Sequence, residues 1–173
     1  TNTLETLPIK KQSDYFVSLC REIIGQQLSG RVADVIFDRF TKVFPRRKVN
    51  AVSVRKVSDA VLRATGMSWS KVGYIRDLSE NVHAKHIDLS LLSDMSDEEG
   101  IAYLMKIKGI GPWTAEMFLI FTLGRPDVFS YGDLGLRKAI QKLYKLTYTP
   151  TRKQMEHIVV KWKPFRTYGA RLL

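Results

Sequence analysis

The chain has 173 residues, 45% of them hydrophobic and 26% charged, enough to bury a core and incompatible with an intrinsically disordered polymer. Its 28 Lys and Arg outnumber 17 Asp and Glu, giving a net charge of +11 and a pI near 9.8, which points to a polyanionic partner. No apolar run approaches the ~20 residues that span a bilayer and no signal-peptide pattern is present, so nucleic acid is the expected partner and no membrane role is expected.

The single cysteine, Cys20, sits among apolar helical positions. It offers no disulfide, it excludes a four-cysteine iron–sulfur cluster, and it fits a reducing, intracellular compartment.

Residues 1–12 read as a polar leader. Asp14 can cap a first helix, along which Tyr15, Phe16, Leu19, Ile23 and Ile24 recur at helical spacing. The helix runs into Gly25-Gln26-Gln27-Leu28-Ser29, and Ser29 caps a second helix whose apolar stripe is Val32, Ile36, Phe37, Phe40, Val43 and Phe44. Two amides beside a leucine are unusual in a core, and capping of helix ends is the plain role for Gln26 and Gln27.

Pro45-Arg46-Arg47-Lys48 ends the second helix as a solvated basic loop. A third helix over residues 53–63 carries Val54, Val57, Val61 and Leu62. Thr65-Gly66-Met67-Ser68 breaks it, and Ser68 or Ser70 opens a fourth through Val72, Ile75, Leu78 and Val82. His83 and His86, with Asp88 following, have a spacing that suits two metal ligands, yet no third strong ligand stands close in sequence, so a surface helix end is expected.

Ser96-Asp97-Glu98-Glu99 reads as a cap with acids in the first turn, followed by Ile101, Tyr103, Leu104 and Ile107. Gly109-Ile110-Gly111-Pro112 then separates this helix from an almost wholly apolar one running to about Leu123, in which Pro112 suits the first turn. The segment at about residues 104–121 is therefore helix, tight hairpin, buried helix. Glycines at 109 and 111 permit special backbone angles and leave the N–H groups at the next helix start open to a phosphate oxygen. An ordinary turn between core helices is the alternative; Lys106, Lys108 and the net charge favour a clamp on a nucleic-acid backbone, with Lys108, Gly109, Gly111 and Thr114 as its phosphate-binding residues.

A loop at about residues 125–137 follows, Arg125-Pro126-Asp127-Val128-Phe129-Ser130-Tyr131-Gly132-Asp133-Leu134-Gly135-Leu136-Arg137. Helices from Leu134 to about Leu146, from Thr151 to Trp162 and from Pro164 onward complete about ten helices, with no convincing strand pattern. The fold class is all-α.

The hairpin, the loop and Asp133, in that order, resemble the helix-hairpin-helix (HhH-GPD) superfamily of DNA glycosylases. Trp162-Lys163-Pro164-Phe165-Arg166-Thr167-Tyr168-Gly169-Ala170-Arg171 resembles the closing helix of its alkylbase, 3-methyladenine DNA glycosylase II branch. The likeness covers roughly residues 13–173. It implies a single domain over residues 1–173, a compact bundle of about ten helices in two subdomains with an active-site cleft between them. The extra N-terminal sheet domain of some members has no counterpart in this sequence.

The resemblance implies a monomeric, monofunctional glycosylase that flips alkylated purines (3-methyladenine, 7-methylguanine) out of double-stranded DNA and hydrolyses their N-glycosidic bond in base excision repair, in the cytoplasm or nucleoid of a prokaryote or in a nucleus. Asp133 would be the catalytic carboxylate, stabilising an oxocarbenium-like sugar and orienting water; an N-cap for the helix at Leu134 is its competing role, and Asp127 is the second choice of acid. Members that cut the backbone use a lysine after the second hairpin glycine, and Trp113 stands at that position. Its indole face would attract a cationic base, although core packing is its other use. Tyr131, Trp69, Trp162 and Phe165 are further candidates for the base-pocket wall. Gln27, with Leu28, resembles the wedge that fills the duplex gap. Main-chain carbonyls of Met105, Ile107 and Ile110 would hold Na+ or K+ at the hairpin, and no other cofactor is required. The alternatives are a non-catalytic DNA-binding module built on the hairpin, or a bifunctional glycosylase/AP lyase.

Overall fold

The computed structural model describes residues 14–173, so the leader expected over residues 1–12 lies outside the described part. Ten α-helices follow one another with no strand among the described residues: α1 (Tyr15–Gly25), α2 (Gly30–Lys42), α3 (Ala51–Arg55), α4 (Asp59–Ala64), α5 (Trp69–His83), α6 (Asp97–Leu104), α7 (Pro112–Phe121), α8 (Leu134–Leu143), α9 (Arg152–Val159) and α10 (Arg166–Leu172). Short 3-10 turns occupy Pro45–Arg47, Leu89–Ser93 and Val160–Trp162.

Local chemistry sets most boundaries. The carboxylate of Asp14 accepts from the Val17 N–H at the start of α1, and Ser96 with Glu99 closes a reciprocal capping box on α6. The single helix expected over residues 53–63 is two, because Asn50 and Ser53 cap α3 and the Ser58 hydroxyl restarts the chain as α4. Ser68, rather than Ser70, caps α5. Ser29 precedes α2 without a side-chain bond to it. The basic loop after α2 places Arg46 and Arg47 in left-handed backbone, at φ 53° and 55°. Helices α8 and α9 stop short of Leu146 and Trp162, and α10 starts at Arg166 rather than Pro164.

Two apolar cores result. The larger joins α1 to α7 around Leu19, Ile23, Phe40, Leu62, Ile75, Leu78, Leu104 and Phe118. Helix α7 runs through it, with Thr114, Ala115, Met117, Phe118, Leu119 and Ile120 buried, as its almost uniform apolarity requires. Cys20 lies wholly inside this core, and burial pushes its thiol far above the usual range. The smaller core gathers Phe129, Ile140, Met155 and Val159, with Leu136, Trp162 and Ala170 packed on it.

The loop after α7 ties the two together. The Arg125 guanidinium donates to the carbonyls of Leu92, Ser93 and Met95 at 3.0, 3.2 and 2.6 Å. The buried Thr167 hydroxyl takes the Val128 N–H and donates to the Arg125 or Val128 carbonyl. Asp127 receives the Arg166 guanidinium in a bidentate pair at 2.7 and 3.0 Å, and the Arg166 N–H as well. These bonds hold the Asp127 carboxyl below its ordinary range. Asp127, the second choice of catalytic acid, is thus a structural partner of α10 with its oxygens committed.

Candidate active site

Asp133 lies where the two cores meet, at the N-cap of α8. One carboxylate oxygen, Oδ1, accepts the Leu136 N–H at 2.9 Å, and the other, Oδ2, accepts the indole Nε1–H of Trp113 at 2.7 Å. The capping role and a place at the site therefore coexist. A carboxylate has about four acceptor positions, so two bonds leave it able to meet a substrate or a water. Gly135 makes room for it: a Cβ there would stand 3.0 Å from Oδ1.

Asp133 also borders a cavity of about 350 Å³ between α7, α8 and α10, walled by Met117, Ile120, Phe121, Leu136 and Ala170 with Arg171 at its edge. That is a size suited to a small organic group. Trp113 is 42% exposed, and no aromatic ring or side-chain cation among the described residues covers its face.

None of the aromatic candidates, Trp113 included, lines this cavity; Trp113 reaches its wall only through the bond to Asp133. Tyr131 packs on Phe129 with the Arg152 guanidinium over its ring. Trp162 stands edge-on to Phe129 and lies over Gly169, where a Cβ would come within 2.6 Å of the indole. Phe165 is exposed beside Tyr168. Trp69, 62% exposed at the start of α5, has Arg63 as its ring partner. The wall expected from aromatic residues is largely aliphatic, because the smaller core needs Tyr131 and Trp162 for its own packing.

At the hairpin, Gly109 has φ +86°, and a Cβ there would fall 2.2 Å from the Tyr74 ring. Only glycine fits that approach. Gly111 differs from the expectation. Its φ of −93° and ψ of 177° are open to any residue and a Cβ would meet no protein atom, so what it leaves clear is the space in front of α7. No side chain caps α7, and the N–H groups of Trp113 and Thr114 point out of its first turn without an intrahelical partner. Thr114 itself is buried and its hydroxyl oxygen accepts the Gln26 amide, so it is the backbone N–H that it presents at the start of α7. Lys108 is exposed, and its own N–H donates to Asp77 at 2.9 Å.

The junction after α1 is built into the same assembly. Gln26 donates its amide to the Gly109 carbonyl at 2.9 Å and to Thr114 Oγ1 at 3.2 Å. Lys71 donates to the carbonyls of Ile24 and Gln26 at 2.8 and 2.7 Å, and burial lowers its pKa. Gln27 follows in left-handed backbone, φ 57°, exposed together with Leu28. Lys71, Tyr74 and Asp77, spaced three apart on α5, thus seat the junction, Gly109 and Lys108. Sequence reasoning missed this face of α5; the polar spacing was its only signal.

Sequence reasoning also missed Glu116 and Ser130. The buried Ser130 hydroxyl donates to Glu116 Oε2 at 2.5 Å. Burial raises the Glu116 pKa and the nearby Asp133 charge adds to the effect, against the opposing pull of Ser130 and Arg152.

Among the described residues no group of three His, Cys, Asp or Glu could hold a metal. Asp88, beside the paired histidines, spends its carboxylate on Ser90. At the hairpin, the Ile107 carbonyl accepts the Ile110 N–H at 3.1 Å, and among the described residues no backbone N–H donates to the carbonyls of Met105 or Ile110. No described helix is long and apolar enough to cross a membrane.

Comparison with known proteins gives the arrangement a context. A family described as HhH-GPD superfamily base excision DNA repair protein matches residues 20–165. DNA-3-methyladenine glycosylase 1 of Schizosaccharomyces pombe is 32% identical over 92% of this chain and 71% of its own length. The DNA-3-methyladenine glycosylase of Saccharomyces cerevisiae is 36% identical over 82% of this chain, which spans 48% of the yeast protein. The chain likewise spans 58% of a Bacillus subtilis relative that is 33% identical to it. A solved structure of the S. pombe 3-methyladenine DNA glycosylase with abasic DNA superposes with a TM-score of 0.84 at 31% identity, covering 93% of this chain and 79% of that one. With its glycine hairpin leading into α7 and Asp133 at the head of α8, this chain belongs to the HhH-GPD superfamily of base excision DNA repair proteins.

Proposed function

We propose that the protein is a monofunctional DNA glycosylase that hydrolyses the N-glycosidic bond of alkylated purines, 3-methyladenine and 7-methylguanine, in duplex DNA. The observation that carries the proposal is the Asp133 carboxylate, fixed by Trp113 at the wall of a cavity beside α7, the helix whose N-terminus after Gly111 has no side-chain cap.

The residues divide the work as follows. The free N–H groups at the start of α7, with Lys108, hold a backbone phosphate. Gln27 and Leu28 fill the stack left by the everted nucleotide, which costs a few kcal/mol to open. The alkylated purine enters beside Asp133, at the edge of the cavity of α7, α8 and α10, where the exposed Trp113 ring offers a π face to its positive charge. As the C1′–N bond breaks, its electron pair passes to the base nitrogen and neutralises the cationic base, so no general acid is required. Asp133 stabilises the cationic sugar, and water adds to C1′ with loss of a proton.

The carbonyls of Met105, Ile107 and Ile110 are oxygen donors without a carboxylate, a set that would suit an alkali cation, which would supply positive charge for a nearby phosphate; no step of the reaction depends on it. The position at which strand-cutting relatives carry a lysine holds Trp113, which supports hydrolysis without a Schiff base. Action as a monomer inside the cell belongs to the same reading.

Asp133→Asn should keep binding to lesion-containing duplex while release of 7-methylguanine from methylated DNA falls by at least a hundredfold. Unchanged release would refute the assignment. Failure of the wild-type protein to release any methylated base would leave a non-catalytic DNA-binding module, and a borohydride-trapped DNA adduct would make it a glycosylase/lyase.

A further inference from the structure

We propose that Glu116 and Ser130 form a positioning pair that fastens the Asp133 loop to α7, so that Asp133 meets the sugar from a fixed point; the proposal rests on the catalytic reading of Asp133. Trp113 and Glu116 lie three residues apart on α7 and so share a face. Ser130 and Asp133 lie three residues apart on the loop. The two pairs bond rung by rung, Trp113 to Asp133 at 2.7 Å and Glu116 to Ser130 at 2.5 Å. Between the rungs the Asp133 N–H donates to the Ser130 carbonyl at 3.3 Å.

The burial gradient gives the lower rung its purpose. Ser130 is fully buried at 0% exposure, while Asp133 stands at the cavity wall. A buried hydroxyl without a partner is costly, so the loop cannot slide along α7 without losing the Glu116 bond. Glu116 is absent from the cavity wall and has no place at the reacting bond, so its effect passes through Ser130 and Asp133. Burial and the neighbouring Asp133 charge both raise the Glu116 pKa, and the bond from Ser130 is the contact that holds the group in place.

The test compares Glu116→Met, Glu116→Gln and Ser130→Ala. Methionine keeps the volume but offers no good acceptor, whereas glutamine keeps a carbonyl oxygen for Ser130. Glu116→Met and Ser130→Ala should each lower kcat for 7-methylguanine release about 10- to 100-fold, the scale on which a displacement of about 1 Å acts, with the Kd for lesion DNA within about twofold. Their combination should be no worse than either alone. Glu116→Gln should stay within about threefold of wild type.

A second readout needs no activity. The three tryptophans give three indole N–H signals by NMR, of which the Trp113 signal is identified by its loss in Trp113→Phe. That signal should move in Glu116→Met and Ser130→Ala toward its position in Asp133→Asn, and hold in Glu116→Gln. The pair is overturned if the signal and kcat are unchanged in Ser130→Ala, or if Glu116→Gln fails as badly as Glu116→Met, because charge rather than fastening would then be at work. Should Glu116→Met not fold, Ser130→Ala alone decides. A wild-type protein without base release would refute the glycosylase reading, and the indole signal would still report on the fastening.

Discussion

Replacing Gly109 by alanine separates the two glycines of the hairpin by their physical roles. An L-residue at φ +86° costs about 1–2 kcal/mol. The new Cβ would also stand 2.2 Å from the Tyr74 ring, and relief of such overpacking costs about 1–3 kcal/mol. Lost freedom of glycine in the unfolded chain returns about 0.5 kcal/mol, which leaves a net loss of about 3 kcal/mol. At about 2–4 °C per kcal/mol for a chain of this size, the melting midpoint should fall by about 6–12 °C. Gly111→Ala meets neither obstacle and should melt within about 2 °C of wild type, yet its methyl group intrudes on the space before the free N–H groups, and affinity for duplex DNA should drop about tenfold. Thermal unfolding by circular dichroism and DNA binding by fluorescence anisotropy measure both. In a Tyr74→Ala background the steric share of the Gly109→Ala penalty should vanish, leaving the backbone share. Equal melting of the two glycine variants, or an unchanged midpoint for Gly109→Ala, would refute the reasoning.

Gly135→Ala should slow base release about tenfold without loss of stability, because the added Cβ would press on Asp133 Oδ1 at 3.0 Å while alanine gains about 0.5–1 kcal/mol over glycine within a helix; single-turnover release alongside a melt checks this. Lys71→Met should destabilise the protein by about 2 kcal/mol, since two carbonyls lose a charged donor, and should weaken lesion binding more than binding to intact duplex. Asp127→Asn should cost about 2 kcal/mol near neutral pH. The folded-state pKa of Asp127 is depressed below the ordinary 3.8, so its contribution is present above that value and lost as pH falls through the lower one. The gap in melting temperature between wild type and Asp127→Asn should therefore be full at pH 6 and close below pH 4.

Much of this arrangement was legible in the sequence. Capping residues such as Asp14, Ser68 and Ser96, and the apolar run after Pro112, place α1, α5, α6 and α7 because helix signals are local. The two-glycine hairpin was legible from its spacing, and the cap role of Asp133 is seen in its bond to the Leu136 N–H; its catalytic role comes from the family resemblance and belongs to the proposed function. The break at Ser58 was missed because the apolar spacing of Val54, Val57 and Val61 carries across it, and only the competing hydroxyl cap stops the helix. The aromatic residues offered for the base pocket show a different limit. Sequence shows that a residue is aromatic but not which of two cores claims it, and Tyr131 and Trp162 went to the smaller one. The α5 face and the Glu116–Ser130 bond join residues far apart in the chain, whose meeting depends on tertiary packing that no local pattern records.

The face formed by Lys71, Tyr74 and Asp77 has a mechanical consequence. A probing tip and a strand grip borne by separate flexible segments would have to find their separation anew at every encounter, each search paid in entropy. Seated on one helix, the junction before Gln27 and the turn at Gly109 are held at a fixed spacing, like the two points of a divider, so under the proposed function the separation of wedge and phosphate grip would be set before DNA is met. A gently deformed site can then be gauged by whether it fits, without the protein refolding between trials.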